Sequence, residues 1–113
     1  MDYDYNANSL EHLRESHQRM YRIVREKNPD TPIIIMSRPK QLTEKEKERF
    51  QIVKETYENA LEAGDKQVWF IPGYELIPEE VMESAKVDGV HPNDLGFYFM
   101  AKRVKVELEG CLR

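Results

Sequence analysis

The sequence has few of the residues that small secreted or metal-binding proteins need. It has 113 residues and one cysteine, Cys111, so a disulfide within the chain is excluded and no cysteine spacing suggests a metal site. Its five glycines form no glycine-rich loop after the first predicted strand, which a phosphate or flavin binder of similar topology would need. We therefore predict no metal and no cofactor.

Long apolar runs and an excess of positive charge are also missing. No apolar run approaches the roughly 18 residues of a membrane span, and the acidic start at 1–4 does not resemble a secretory signal. Seventeen basic and twenty-one acidic residues give a formal net charge of -4, with no basic stripe for a row of phosphates. We expect neither a membrane nor a nucleic acid as a partner.

The remaining composition suits one folded domain. Hydrophobic residues make up 40% and charged residues 34% of the chain, a balance unlike that of a disordered segment. A chain of this length buries about two thirds of its unfolded surface in a single core. We predict a single domain over 1–113.

The hydrophobic pattern predicts alternating strands and helices. Apolar runs at 32–36 and 67–71 are typical of strands buried on both faces of a parallel sheet. Helices are predicted to begin at three good N-cap positions, with a capping box at the second. These positions are Asn8 or Ser9, then Thr43, then Asn93 or Asp94. The end of a further strand is predicted within 1–8, and a short helical turn at 78–84.

This order of elements predicts an α/β fold. Strands separated by helices imply right-handed crossovers and a parallel sheet with helices on both faces. In such sheets, ligands bind beyond the carboxyl ends of the strands. Asn6, the pair Ser37-Arg38 and the turn at 88–91 each follow a strand or a loop that leaves one. We therefore expect these side chains to converge on one rim.

The most informative stretch is Asp88-Gly89-Val90-His91-Pro92. An acid three residues before a histidine, on a loop stiffened by proline, lets the carboxylate accept a hydrogen bond from one imidazole nitrogen while the other faces outward. This arrangement is the base half of a hydrolytic triad. The alternative is an ordinary turn in which the aspartate caps backbone amides and the histidine is merely exposed.

These residues support a family resemblance. The sequence Asp-Gly-Val-His-Pro-Asn-Asp-Leu-Gly at 88–96, with Asp-Tyr-Asn-Ala-Asn at 4–8, resembles the SGNH (GDSL-like) lipase and acylhydrolase family over nearly the whole chain. The resemblance implies a three-layer α/β/α, flavodoxin-like fold. It implies that Asp88 and His91 are catalytic and that Asn6 is an oxyanion-hole donor. The family's Gly-Asp-Ser and glycine blocks do not appear, so the chain resembles the C-terminal part of an SGNH hydrolase domain.

The resemblance also implies a function. It indicates a serine esterase or acylhydrolase acting on small esters, with carbohydrate acetyl esters as one option. Arg38 and Ser37 are candidate substrate contacts, although an ion pair is the alternative for the arginine. Without its nucleophile, the chain alone should show at most a trace of ester hydrolysis, unless Ser9 or Ser37 is a rearranged nucleophile. The alternative function is a non-catalytic α/β remnant that binds a partner through the same rim.

Several further predictions concern burial and assembly. His12 and His17 are expected on the surface, and the Lys/Glu-rich stretch 44–49 is expected to be a solvated helix face. A sheet without its first strands would expose an apolar edge, so we expect a homo-oligomer or association with a missing N-terminal segment. The residues expected to face the core are Leu10, Leu13, Met20, Ile23, Val24, Phe50, Val53, Tyr57, Ala60, Leu61, Trp69, Leu95, Phe99, Met100, Val104 and Leu108.

Overall fold

The computed structural model describes residue 4 and residues 6–112. These residues form three helices and two strands, with two short 3-10 turns. In chain order they are α1 (Leu10–Lys27), β1 (Ile33–Met36), α2 (Glu44–Glu62), β2 (Val68–Ile71), the 3-10 turns Gly73–Glu75 and Glu79–Val81, and α3 (Asp94–Cys111). The strand predicted at the N-terminus falls mostly on residues 1–3 and 5, which lie outside the described residues; residues 4 and 6 lie in turns.

The two described strands pair in parallel. The register runs from Ile33 opposite Val68 to Met36 opposite Ile71. Both strands are short, apolar runs rich in β-branched and aromatic side chains, which suit a sheet covered on both faces. The strands predicted at 32–36 and 67–71 and their parallel arrangement are therefore confirmed.

Helices cover both faces of this sheet. Alternate side chains of a strand point to opposite faces, so Ile33 and Ile35 pack toward α1 and α2, while Ile34 and Met36 pack toward α3. The cluster on the first face contains Tyr21, Ile33, Ile35, Val53, Ala60 and Val68. The cluster on the second face contains Ile71, Leu76, Ile77, Met82 and Ala85. The order helix, sheet, helix confirms the predicted three-layer α/β/α fold.

Helix α1 is capped by Ser9, and its buried face matches the prediction only in part, because Leu13 is buried as predicted. The Ser9 side chain accepts a hydrogen bond from the His12 backbone N–H at 3.0 Å. His17, predicted on the surface, is only 1% exposed, and its Nδ1 lies 2.7 Å from Thr56 Oγ1 on α2. Met20 and Ile23, predicted to face the core, are about half exposed. Both predictions are wrong because α1 packs on α2 through the stripe that contains His17.

Helix α2 begins where predicted without the predicted capping box. The Thr43 side chain makes no cap hydrogen bond, and Glu46 is buried against Lys40 Nζ at 3.0 Å. The stretch 44–49 is therefore not a wholly solvated face. Leu61 is also exposed rather than in the core. Phe50, Tyr57 and Trp69 are only half-buried. Tyr57 stacks on Phe70 at a ring distance of 5.6 Å, and the Phe50 ring is tilted against Phe70 at 5.8 Å.

Helix α3 covers the second face of the sheet. Its N-cap is Asn93, as predicted, and Phe99, Met100 and Val104 pack against the second cluster. Leu95 and Leu108 were predicted to face the core but are exposed, because α3 contacts mainly β2 and leaves its outer flank uncovered by described residues. No helix among the described residues is long and apolar enough to cross a membrane.

An ion pair fixes the amino ends of the strands, away from the expected rim. Arg25 Nε donates to Asp65 Oδ2 at 2.9 Å, and the Tyr21 hydroxyl donates to the same oxygen. The Arg25 guanidinium also donates to the carbonyls of Thr31 at 2.6 Å and Gln67 at 2.9 Å, which lie just before β1 and β2. The pKa of Asp65 is lowered because hydrogen bonds from Tyr21, Gln67 and Arg25 outweigh its burial.

Candidate active site

The turn at 88–91 folds around the Asp88 carboxylate. Its Oδ1 accepts hydrogen bonds from the backbone N–H groups of Val90 at 3.0 Å and His91 at 2.7 Å. Gly89 has φ +78°, a conformation that glycine adopts without strain. The second oxygen, Oδ2, lies 2.6 Å from His91 Nδ1. The carboxylate therefore caps the turn with one oxygen and holds the imidazole with the other.

The charge of Asp88 determines which group donates the hydrogen bond between Asp88 Oδ2 and His91 Nδ1. The pKa of Asp88 is lowered well below its usual range, first by the His91 backbone N–H, then by the His91 side chain and the Val90 N–H. An ionised carboxylate can only accept hydrogen bonds, so Nδ1 of His91 must be the donor. In the neutral ring, Nε2 is then left as a free acceptor. The side chains are 52% and 75% exposed for Asp88 and His91.

His91 lies at a cleft that also contains two of the other predicted site residues. The cleft has a volume of about 290 Å³. Asn6 and Arg38 contribute polar atoms, and the remaining wall is largely apolar. Its lining residues are Asn6, Arg38, Pro39, Val90, His91, Pro92, Phe97 and Met100. The structure thus brings Asn6, Arg38 and His91 together in one cleft at the carboxyl ends of the strands.

Asn6 reaches the cleft on a segment that is held by α2. Asn6 is exposed within a turn, next to the buried residue Ala7. The Arg49 guanidinium donates to the carbonyl of Ala7 at 3.2 Å and to that of Asp4. Sequence analysis missed this role of Arg49, because it lies in a Lys/Glu-rich stretch whose pattern indicates only a solvated helix face.

Arg38 is anchored beside the cleft. Its side chain is only 10% exposed, and its Nη1 lies 3.8 Å from Glu46 Oε1 of α2. Its backbone N–H donates to Asp4 Oδ2 at 3.0 Å. Arg38 therefore belongs to an ion pair, as one of the two predicted roles has it, and its contact with substrate stays a prediction that its position in the cleft permits.

Ser37 occupies a different environment. Its side chain is buried, and Oγ accepts a hydrogen bond from the Gly73 backbone N–H at 2.6 Å. A Cβ at Gly73 would lie 1.7 Å from the carbonyl oxygen of Arg38, so only glycine allows the loops after β1 and β2 to approach this closely. Ser37 does not line the cleft, and this position does not support its predicted contact with substrate.

The cleft contains no serine among its lining residues. Ser9 caps α1, Ser16 donates to the carbonyl of His12 at 2.7 Å, and Ser37 is bound to Gly73. The structure therefore places neither Ser9 nor Ser37 as a nucleophile for His91. Within residues 4 and 6–112, no group of three or more His, Cys, Asp or Glu side chains is arranged to hold a metal ion.

The fold and the site define a class of protein. This class combines a three-layer α/β/α domain with an aspartate-histidine pair at the carboxyl ends of parallel strands. The profile of the GDSL-like Lipase/Acylhydrolase family matches residues 2–109. The chain belongs to this family.

Two solved structures share the fold. One is the salicylyl-acyltransferase SsfX3 from a tetracycline biosynthetic pathway, with a TM-score of 0.72 and 19% identity over 96% of this chain and 34% of that chain. The other, described as a GDSL-like lipase from Bacteroides ovatus, has a TM-score of 0.72 and 28% identity over 92% of this chain and 33% of that chain. The chain thus spans about a third of the length of each. No curated protein matches the sequence.

Proposed function

We propose that this chain supplies the general base and an oxyanion-hole donor of a serine esterase or acylhydrolase. The observation that carries the proposal is the 2.6 Å contact between Asp88 Oδ2 and His91 Nδ1 at a cleft that His91 shares with Asn6. Family membership supports the reaction class. The active unit also needs a nucleophilic serine, which we propose comes from a polypeptide segment outside these 113 residues.

Each residue has a distinct role in the proposed reaction. Asp88 holds the ring so that Nε2 of His91 accepts the serine proton while the serine oxygen attacks the carbonyl carbon of the ester. The Asn6 side-chain amide donates to the oxyanion that forms. The protonated His91 then gives its proton to the leaving alcohol, and water releases the acyl group by the same two steps.

The dimensions and lining of the cleft favour a small substrate. A volume of about 290 Å³ accommodates a short acyl group more readily than a long chain, and part of it must hold the nucleophile. Arg38, Val90 and Phe97 line the cleft, and we propose that Arg38 contacts a polar part of the substrate while the other two pack against its apolar part. We propose small carboxylic esters as the substrate class, with carbohydrate acetyl esters as one member.

Hydrolysis of p-nitrophenyl acetate tests the proposal. The assay compares the 113-residue chain with a completed enzyme, in which the chain is joined to the Gly-Asp-Ser-bearing segment of a family member. We expect a trace of activity from the chain alone and clear turnover from the completed enzyme. His91→Ala in the completed enzyme should lower kcat by at least about 10³-fold, since His91 is the proton acceptor.

His12→Ala is the matched control, because His12 is an exposed histidine on α1 that does not line the cleft. It should leave kcat and KM unchanged. Equal inactivity of the chain and of a folded completed enzyme would contradict the esterase proposal. Equal losses of kcat in His91→Ala and His12→Ala would also contradict the esterase proposal.

A second candidate function is a non-catalytic module that binds a partner. The observation that favours it is the exposed apolar surface near the cleft. Phe97 is 57% exposed, and Tyr98 and Val87 are exposed as well. If the completed enzyme is inactive but the chain binds a protein through this surface, the second candidate is favoured.

A further inference from the structure

Asn93, which follows the active-site turn, ties that turn to the protein interior through three hydrogen bonds. Its backbone N–H donates to the carbonyl of Ala85 at 2.8 Å. Its side-chain Nδ2 donates to the carbonyl of Ser84 at 2.8 Å. Its Oδ1 accepts from the Gly96 N–H in the first turn of α3 at 3.1 Å. A single residue thus joins the segment before the turn, the end of the turn and the start of α3.

The hydrogen bonds of Asn93 matter because the side chains of the turn at 88–91 are too exposed to hold the turn in place by packing. Both Asp88 and His91 are exposed. The hydrogen bond from Val87 N–H to the His91 carbonyl, at 2.8 Å, closes the turn but does not connect it to the core. Ala85 is fully buried in the cluster that packs against α3. The hydrogen bonds of Asn93 therefore fix the position of the turn relative to the core.

We propose that Asn93 is a positioning residue for the Asp88–His91 pair, and that its Nδ2 donor bond to the Ser84 carbonyl keeps the imidazole directed at the cleft. The inference rests on the proposed function, because it assigns His91 as the base. The two ends of the same amide act separately. Oδ1 caps α3, and Nδ2 holds the loop that carries the turn.

Asn93→Asp separates these two roles. The aspartate keeps an acceptor for the Gly96 N–H, so α3 remains capped, but it loses the donor to the Ser84 carbonyl. Asn93→Ser adds no charge and also keeps an acceptor for the Gly96 N–H, but its single oxygen cannot replace both Oδ1 and Nδ2, so the bond to the Ser84 carbonyl is lost. In the 113-residue chain, ¹⁵N NMR of the imidazole should show mainly the Nδ1–H tautomer of His91 for the natural protein. It should show a smaller fraction of that tautomer in both variants.

The completed enzyme gives the kinetic readout. In both Asn93 variants kcat should fall by about 10- to 100-fold while KM changes little, because a small misplacement of the base affects the reaction more than binding. The control is Asn28→Ala, which removes the side-chain bond from Asn28 Nδ2 to the Val24 carbonyl at the C-terminal end of α1 and should lower stability without touching a residue that lines the cleft. It should change neither the tautomer nor kcat.

Two results would overturn the inference. One is an unchanged His91 tautomer and kcat in both Asn93 variants, and the other is the same change in Asn28→Ala, which would reveal a general effect of stability. The tautomer is measured without substrate, so this outcome is independent of whether the completed enzyme hydrolyses esters. Absence of hydrolysis in the unmutated completed enzyme would count against the proposed function instead.

Discussion

At the residue scale, two histidines on this chain have opposite environments. His91 is exposed and hydrogen-bonded to an ionised aspartate, whereas His17 is buried against Thr56. Nε2 of His17 has no hydrogen-bond partner among the described residues. Burial lowers the pKa of His17 from 6.5 to about 4. His17 therefore belongs to the folding energetics of the chain, whereas His91 lines the cleft.

The pKa of His17 predicts how stability depends on pH. In the unfolded chain, His17 binds a proton near its usual pKa of 6.5, while the folded chain resists protonation down to about 4. The unfolded state binds more protons between these values, so the free energy of unfolding falls as the pH is lowered through this window. The full effect is about 3 kcal/mol, reached below the folded pKa. Urea unfolding at pH 7 and pH 4.5 measures it.

A matched pair of variants isolates this contribution. His17→Gln should reduce the stability difference between the two pH values, because glutamine does not titrate. His12→Gln, which alters an exposed histidine, should leave the difference unchanged. An undiminished pH dependence in His17→Gln would refute the assignment.

Some side-chain contacts could be predicted from the sequence and others could not. The Asp88–His91 contact was predicted because both partners lie within one four-residue turn, where spacing determines geometry. The Arg38–Glu46 pair and the anchoring by Arg49 join different elements, and sequence patterns do not show which charges meet in space. Most local bonds could therefore be predicted, with the absent capping box at Thr43 as the exception, and contacts between elements could not.

At the scale of elements, helix starts and strands were predicted well and buried faces less well. Ser9 and Asn93 mark helix starts through local capping bonds, and apolar β-branched runs mark the strands. The buried face of α1 depends on where α2 lies. The packing of His17 against Thr56 replaces the predicted burial of Met20.

The close approach of α3 to the loop before it gives an element-scale prediction. A Cβ at Gly96 would lie 2.4 Å from the Ala85 carbonyl oxygen and 2.9 Å from Pro92 Cβ. Gly96→Ala should therefore lower the free energy of unfolding by about 1–3 kcal/mol, as overpacking does. Gly110→Ala is the control, because nothing lies within 4 Å of its Cβ position.

The two variants should have opposite signs. Alanine favours a helix over glycine by about 1 kcal/mol, so Gly110→Ala should raise the free energy of unfolding. Thermal or urea unfolding of both variants measures this difference. Two changes of the same sign would show that α3 does not press on Ala85 as the structure has it.

At the scale of the whole molecule, α1 and α2 pack on one face of the sheet over a buried apolar cluster, whereas several apolar side chains of α3 are not covered by any described residue. The family profile matches nearly the whole chain, yet the chain spans about a third of the solved relatives. Apolar side chains along the outer part of α3, such as Tyr98 and Val106, are exposed. We expect further protein surface to cover them, whether from a second copy or from a nucleophile-bearing segment.

This expectation predicts self-association of the isolated chain. Sedimentation at micromolar concentrations should show dimers or larger species, because exposed apolar patches on single chains favour association. The double variant Tyr98→Lys and Val106→Lys should shift the distribution toward monomer. A stable monomer of the unmutated chain would contradict the prediction.

A second double variant identifies the face involved. Met20→Lys with Ile23→Lys places the same charges on the exposed face of α1, where the apolar side chains are also about half exposed. If this variant alone abolishes association, the contact lies on α1 and the assignment to α3 is wrong.

The central claim is that Asp88 and His91 act as one unit on a nucleophile in the shared cleft. A double-mutant cycle on kcat of the completed enzyme, with p-nitrophenyl acetate as substrate, tests it most directly. We predict that Asp88→Asn slows the reaction by about 10²- to 10⁴-fold, that His91→Ala slows it further, and that combining them costs no more than His91→Ala alone. Single losses that multiply in the double variant, or an Asp88→Asn enzyme as fast as the unmutated one, would contradict the account.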